Sequence, residues 1–160
     1  MNSIISPTTI KRFGVQGYSC YSDQELNNYG YGIRFAYYLC DSLMILGILL
    51  TNFWILATIM VIAFLGAVLP NHPFDYLYNY LVRYWINKPK IPRRTNQIKF
   101  ACGIASVWLG GIIVLFYSGF SILAYIAGGI IVSLATLVAT TDICIPSMIY
   151  NALFLNKKNK

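Results

Sequence analysis

The chain has 160 residues, of which 58% are apolar and only 11% charged. A soluble domain carries about 25% charged residues, so this composition excludes an ordinary water-soluble surface and points to an integral membrane protein. The net charge of +7 comes from Lys and Arg at the edges of apolar runs. Anionic lipid headgroups match such a pattern. Without a basic face interleaved with aromatics, no nucleic-acid partner is expected.

Residues 1–32 read as a polar, Tyr-rich cytoplasmic tail. They contain no apolar run long enough for a cleavable signal peptide, so none is expected. Ser22 and Glu25 have capping-box spacing, which predicts a short helix over about 23–28. Tyr18, Tyr21, Tyr29 and Tyr31 suit a membrane interface. Gly30 and Gly32 predict a turn into the membrane. The first apolar run covers 33–50 and the second 53–69, with only Thr51 and Asn52 between them. Such a short break forces two antiparallel neighbours. Beyond Pro73, apolar residues recur at Phe74, Leu77, Tyr78, Leu81, Val82 and Trp85. This spacing predicts an amphipathic helix over about 74–87. It is too short and polar to span, so it is expected in the interface. A basic linker with Lys88, Lys90, Arg93 and Arg94 follows.

The third run covers 98–117 and the fourth 122–141, joined by a turn at Ser118–Ser121. A second short interfacial helix is expected over 147–155, and residues 156–160 form a basic C-terminus with Lys157, Lys158 and Lys160. With four spans, all twelve Lys and Arg fall on one side or at its edge. Cationic loops stay cytoplasmic, so both termini are expected inside. The segment Ile33-Arg34-Phe35-Ala36 returns as Ile98-Lys99-Phe100-Ala101, and Pro73 with Tyr78-Asn79 returns as Pro146 with Tyr150-Asn151. The fold expected is therefore all-α. Four transmembrane helices form two repeated hairpins, each followed by a short interfacial helix, about a pseudo-twofold axis along the membrane normal.

Charges inside spans are costly and point to function. Arg34 and Asp41 lie two helical turns apart on one face of the first span. Asp41 needs a partner, a proton or water. It serves either a hydrogen bond to another span or proton and substrate handling. Asp142 is placed to cap the helix that begins near Pro146. The topology sets Cys40, Cys102 and Cys144 in the cytoplasmic halves of three spans, with His72 on the same side. Together they form a candidate thiol or soft-metal cluster. Their spacing matches no metal motif, and buried Cys also packs as a small apolar residue. Cys144 is the candidate reactive thiol, because a helix N-terminus lowers a thiol pKa. The pairs Gly110-Gly111 and Gly128-Gly129 suggest close packing of the third span on the fourth. The cofactor, if there is one, is unknown from the sequence.

The residues Ile33-Arg34-Phe35-Ala36, Pro73-Phe74, Lys99-Phe100-Ala101-Cys102-Gly103 and Ile143-Cys144-Ile145-Pro146-Ser147-Met148-Ile149-Tyr150 together resemble an uncharacterised bacterial membrane family. It is catalogued as domain of unknown function 4395. The resemblance covers about residues 31–155. It implies a C-terminal Cys-x-x-Cys followed by an acidic residue and a Tyr. Here Cys144 stands at the first Cys and Tyr150 is kept, but Ser147 replaces the second Cys and Met148 the acidic residue. The Cys pair implies thiol chemistry in relatives, which this chain cannot complete with Cys144 and Ser147 alone.

Three functions stay open for a protein of the bacterial inner membrane. The first is a non-enzymatic scaffold or accessory subunit. It would dock a protein partner, an oligomer or anionic lipid through Phe74, Leu77, Tyr78, Leu81, Trp85, Arg83, Arg93 and Arg94. The second is a thiol- or sulfur-handling protein centred on Cys144. The third is a small oligomeric transporter or channel using Arg34 and Asp41.

Overall fold

A computed structural model describes residues 6–155, and every regular element among them is helical. The basic C-terminus at 156–160 lies outside the described residues. The helices are α1 (Pro7–Phe13), α2 (Asp23–Leu49), α3 (Phe53–Val68), α4 (Pro73–Ile86), α5 (Asn96–Tyr117), α6 (Ser121–Thr141) and α7 (Ile145–Leu155). Three of them, α2, α5 and α6, are long and apolar enough to cross a bilayer. The chain is a membrane protein on that basis. Helix α3 has 16 residues, about 24 Å at 1.5 Å per residue. The chain then bends by 84° into α4.

The helix starts follow from local capping. Ser22 and Glu25 close a reciprocal box at the head of α2, Asn52 Oδ1 accepts from Ile55 N–H at the head of α3, and Thr95 Oγ1 accepts from Ile98 N–H at the head of α5. Pro73 and Pro146 occupy the first turns of α4 and α7, where a missing N–H costs nothing. Gly119 turns the chain between α5 and α6 with φ of 81°.

Helices α2 and α5 each pack against both α3 and α6. Met44, Ile48, Leu56, Ile59, Leu109 and Ile131 meet in the centre of this four-helix ring. A second core sits at one end. There Phe13, Tyr18, Leu26, Ile33, Tyr78 and Ile98 pack together. Helix α4 lies against α2, and α7 against α5.

Three expectations are corrected here. The segment read as a polar tail packs on the bundle: Phe13 and Tyr18 are fully buried in the second core, and Gln16 is buried with its Nε2 donating to the Asp142 carbonyl. The predicted short helix and Gly30–Gly32 turn are instead one continuous helix of 27 residues. Gly32 serves close approach, since a Cβ there would lie 2.6 Å from Ile91 and 2.7 Å from Tyr78. The glycine pairs do not pack α5 on α6. Gly128 faces Ile48 of α2 and Gly110 faces Met60 of α3, while Gly111 and Gly129 have open space.

Candidate functional site

The site begins at the bend between α3 and α4. His72 caps α4: its Nδ1 accepts from Phe74 N–H at 3.3 Å, and its own N–H donates to Asp75 Oδ2 at 3.0 Å. Gly66 leaves room for the imidazole, because a Cβ there would collide with the ring. Asp75 in turn grips Arg94 in a fork. Arg94 Nε donates to Oδ2 at 2.6 Å and Nη2 to Oδ1 at 2.5 Å. Both side chains are at most 1% exposed. Burial works to lower the Arg94 pKa, but the Asp75 charge and hydrogen bonds hold it well above its ordinary value. The guanidinium lies 5.3 Å from the Tyr37 ring centre. Beside it, burial pushes the Tyr18 phenol up to about 12, against the Arg94 charge.

Burial, and then the nearby Arg94 charge, push His72 down to about 4 against the pull of Asp75. The imidazole is therefore neutral at ordinary pH. Since Nδ1 accepts a hydrogen bond, the ring proton sits on Nε2. That nitrogen faces Cys40 Sγ at 3.8 Å. His72 is thus a donor toward Cys40 and not a base.

These groups end in a cavity of about 290 Å³. Cys40, His72, Arg94, Cys102 and Cys144 all line it, with Tyr37. The opposite wall is apolar and includes Ile104 and Trp108 of α5, Leu134 of α6 and Ile149 of α7. Those four are also partly exposed, so the cavity reaches the outer surface between these helices. One polar atom at its floor stays unsatisfied: Arg94 Nη1 has no hydrogen-bond partner. A buried donor left in this state costs about 1–3 kcal/mol.

The sequence placed the three cysteines and His72 at one depth, and they do share one cavity. They do not assemble a metal site. Among the described residues no three His, Cys, Asp or Glu side chains are close enough to hold a metal ion. His72 offers no free lone pair, since one nitrogen accepts from Phe74 and the other carries the proton. Cys144 is likewise corrected as an activated thiol. It stands at the head of α7, but burial pushes its thiol pKa up against the Ser147 hydrogen bond. Ser147, in the place of the second cysteine, donates to Cys144 Sγ at 3.0 Å.

Arg34 and Asp41, two turns apart on α2, have different partners. Arg34 forks onto Asp142, with Nε to Oδ1 at 2.8 Å and Nη2 to Oδ2 at 2.5 Å. Asp142 does not cap α7 but ends α6 in a left-handed conformation, φ 60°. Asp41 Oδ2 accepts from Thr136 Oγ1 of α6 at 2.8 Å, and its Oδ1 has no partner.

The docking surface is also redrawn. Tyr78 and Arg94 are buried, and Phe74 is half-buried, so they are not available to a partner. A π-helical turn at Tyr78–Val82 shifts the register of α4. Asp75, Tyr78 and Asn79 then face the protein, while Leu77, Leu81 and Trp85 face outward, Trp85 with 88% exposure. Arg93 is exposed, and Arg83 stacks on Tyr84 at 4.5 Å.

Sequence reasoning missed Asp75, Tyr37 and Gln16. For Asp75 a signal existed: His72-Pro73-x-Asp75 has the spacing of a capping box. Gln16 showed no such sign, yet its Nε2 donates to the Asp142 carbonyl at 2.8 Å across 126 residues.

No curated protein and no solved structure matches the chain. The pattern of one family covers residues 30–154, from within α2 to near the end of α7, and so takes in every cysteine, His72, Asp75 and Arg94 of the cavity floor apart from the exposed Cys20. On that match the chain belongs to the family described as Domain of unknown function (DUF4395).

Proposed function

We propose that this is a membrane thiol protein, in which a chamber closed to water and open to lipid presents Cys40, Cys102 and Cys144 to lipid-soluble molecules. The observation that carries it is the shared cavity of the three thiols with His72 and Arg94. The fourth cysteine, Cys20, is exposed and stands apart from it. We place the protein in a bacterial inner membrane with four spans and both termini inside, the side on which the Lys and Arg gather.

Two repeated hairpins underlie this arrangement. The units α2–α3–α4 and α5–α6–α7 run in the same order, and each ends in a short proline-started helix laid on the first helix of its own unit. Tyr78 and Asn79 follow the cap His72 by the spacing at which Tyr150 and Asn151 follow the cap Cys144. These correspondences support duplication.

Inside-out membrane vesicles test the chamber. Neutral N-ethylmaleimide should modify Cys20 quickly and Cys40, Cys102 and Cys144 slowly, because a buried thiol is seldom the reactive thiolate. A charged, membrane-impermeant maleimide should modify Cys20 alone, as read by mass spectrometry. Equal labelling of Cys40, Cys102 and Cys144 by the charged reagent would sink the proposal.

A second reading, an accessory subunit that rests on the membrane surface through α4, is favoured by the outward face of Leu77, Leu81 and Trp85. The two readings are compatible, since the face and the chamber use different residues.

A further inference from the structure

The chamber's floor carries a specific chemical demand. Arg94 lines the cavity, its side chain is 1% exposed, and its Nη1 has no partner while Nε and Nη2 are spent on Asp75. The His72 Nε2–H is turned toward Cys40 Sγ at 3.8 Å, which leaves Arg94 Nη1 as the floor donor without a partner. The floor thus offers an N–H group and asks for an acceptor.

Charge narrows the choice further. The Arg94 charge is already balanced by the Asp75 fork, and Arg34 is balanced by Asp142. An anionic head would arrive as an uncompensated charge beside the buried Asp75 carboxylate, which is expensive at low dielectric. A neutral acceptor meets no such penalty. The remaining walls are apolar, and the mouth is exposed at Ile104 of α5, Leu134 of α6 and Ile149 of α7. A volume of about 290 Å³ lies at the small end of ligand sites, about 300–1,000 Å³. It holds a head group, with any chain leaving through the mouth into lipid.

We infer that the chamber binds an uncharged, lipid-soluble molecule headed by a carbonyl oxygen, which accepts a hydrogen bond from Arg94 Nη1. The inference uses the same cavity as the thiol reading and deepens it by naming the ligand class. A quinone ring and an acyl ester both supply such an oxygen, and the choice of probes separates them.

The experiment uses the full-length protein in detergent, titrated with decylubiquinone, methyl decanoate, decanoate and decane, and followed by the rise in melting temperature. At least one of the two neutral carbonyl probes should bind saturably, at least tenfold more tightly than decanoate or decane. Binding of decylubiquinone alone identifies a ring carbonyl, and binding of methyl decanoate alone an acyl one. Tighter binding of decanoate, equal binding of decane, or no saturable binding overturns the inference. Arg94→Lys should weaken binding at least tenfold. That variant disturbs a buried ion pair, so Ala135→Phe serves as the second: it fills the cavity away from the pair and should abolish binding. Unchanged binding to Ala135→Phe places the ligand elsewhere and overturns the inference.

The two proposals fail separately. Selective labelling by neutral maleimide with no probe binding removes the carbonyl ligand and keeps the thiol chamber. Probe binding with all cysteines open to the charged maleimide does the reverse.

Discussion

His72 does three jobs with one ring: it caps α4 through Nδ1, fills the space above Gly66 and turns an N–H toward Cys40. Its neutrality makes the site sensitive to acid. With a folded pKa near 4 against an ordinary 6.5, the folded state binds fewer protons than the unfolded state between those values. The His72 contribution is therefore complete above pH 6.5 and is lost as the pH falls toward 4. In His72→Asn the amide oxygen can still cap Phe74 N–H, while nothing titrates. Melting temperatures of the purified protein from pH 7 to pH 4.5 should fall less steeply in that variant. An identical acid slope would show that other groups set it. Residues of this kind were only half legible in sequence. The depth of Cys40, Cys102, Cys144 and His72 followed from topology alone. The grip of Asp75 on Arg94 did not, because it spans 19 residues through a linker whose path depends on the fold.

At the level of elements, the long apolar runs read well because a bilayer demands about 20 apolar residues per span, and little else in a chain looks the same. The ends were harder. Gly30 and Gly32 have the look of a turn, yet both lie inside α2, where Gly32 admits Ile91 and Tyr78. Helix α4 was read as an interfacial helix whose apolar face, Phe74 and Tyr78 included, meets lipid or a partner. Leu77, Leu81 and Trp85 do face out, but Tyr78 turns to the protein side with Asp75 and Asn79. The glycines give a direct contrast. Gly32→Ala should destabilise by about 1–3 kcal/mol through overpacking, since its Cβ would press on Ile91 and Tyr78. Gly129→Ala, with open space around it, should stabilise by about 0.8–1 kcal/mol through helix propensity. Unfolding in SDS measures both. A Gly32→Ala variant as stable as the parent would refute the close approach.

For the whole molecule, the first described residues and the last are tied together. Arg12 Nη1 donates to the Thr141 carbonyl at 2.6 Å, Gln16 to the Asp142 carbonyl, and Asn151 Nδ2 to the Val15 carbonyl at 2.8 Å. Phe13 and Tyr18 anchor this segment in the second core. Phe13→Ala should cost about 3–5 kcal/mol by loss of a buried aromatic and open Lys11 and Arg12 to trypsin. A variant that resists both SDS and trypsin as the parent does would show that the segment contributes nothing to the fold.

These ties have a consequence for the making of the protein. The segment around Arg12 and Gln16 leaves the ribosome before the carbonyls it grips, at Thr141 and Asp142, are made. During synthesis it must wait at the membrane surface, with Phe13 and Tyr18 uncovered, until α6 has been inserted. Its closure therefore reports that α6 has reached its place against the rest of the bundle.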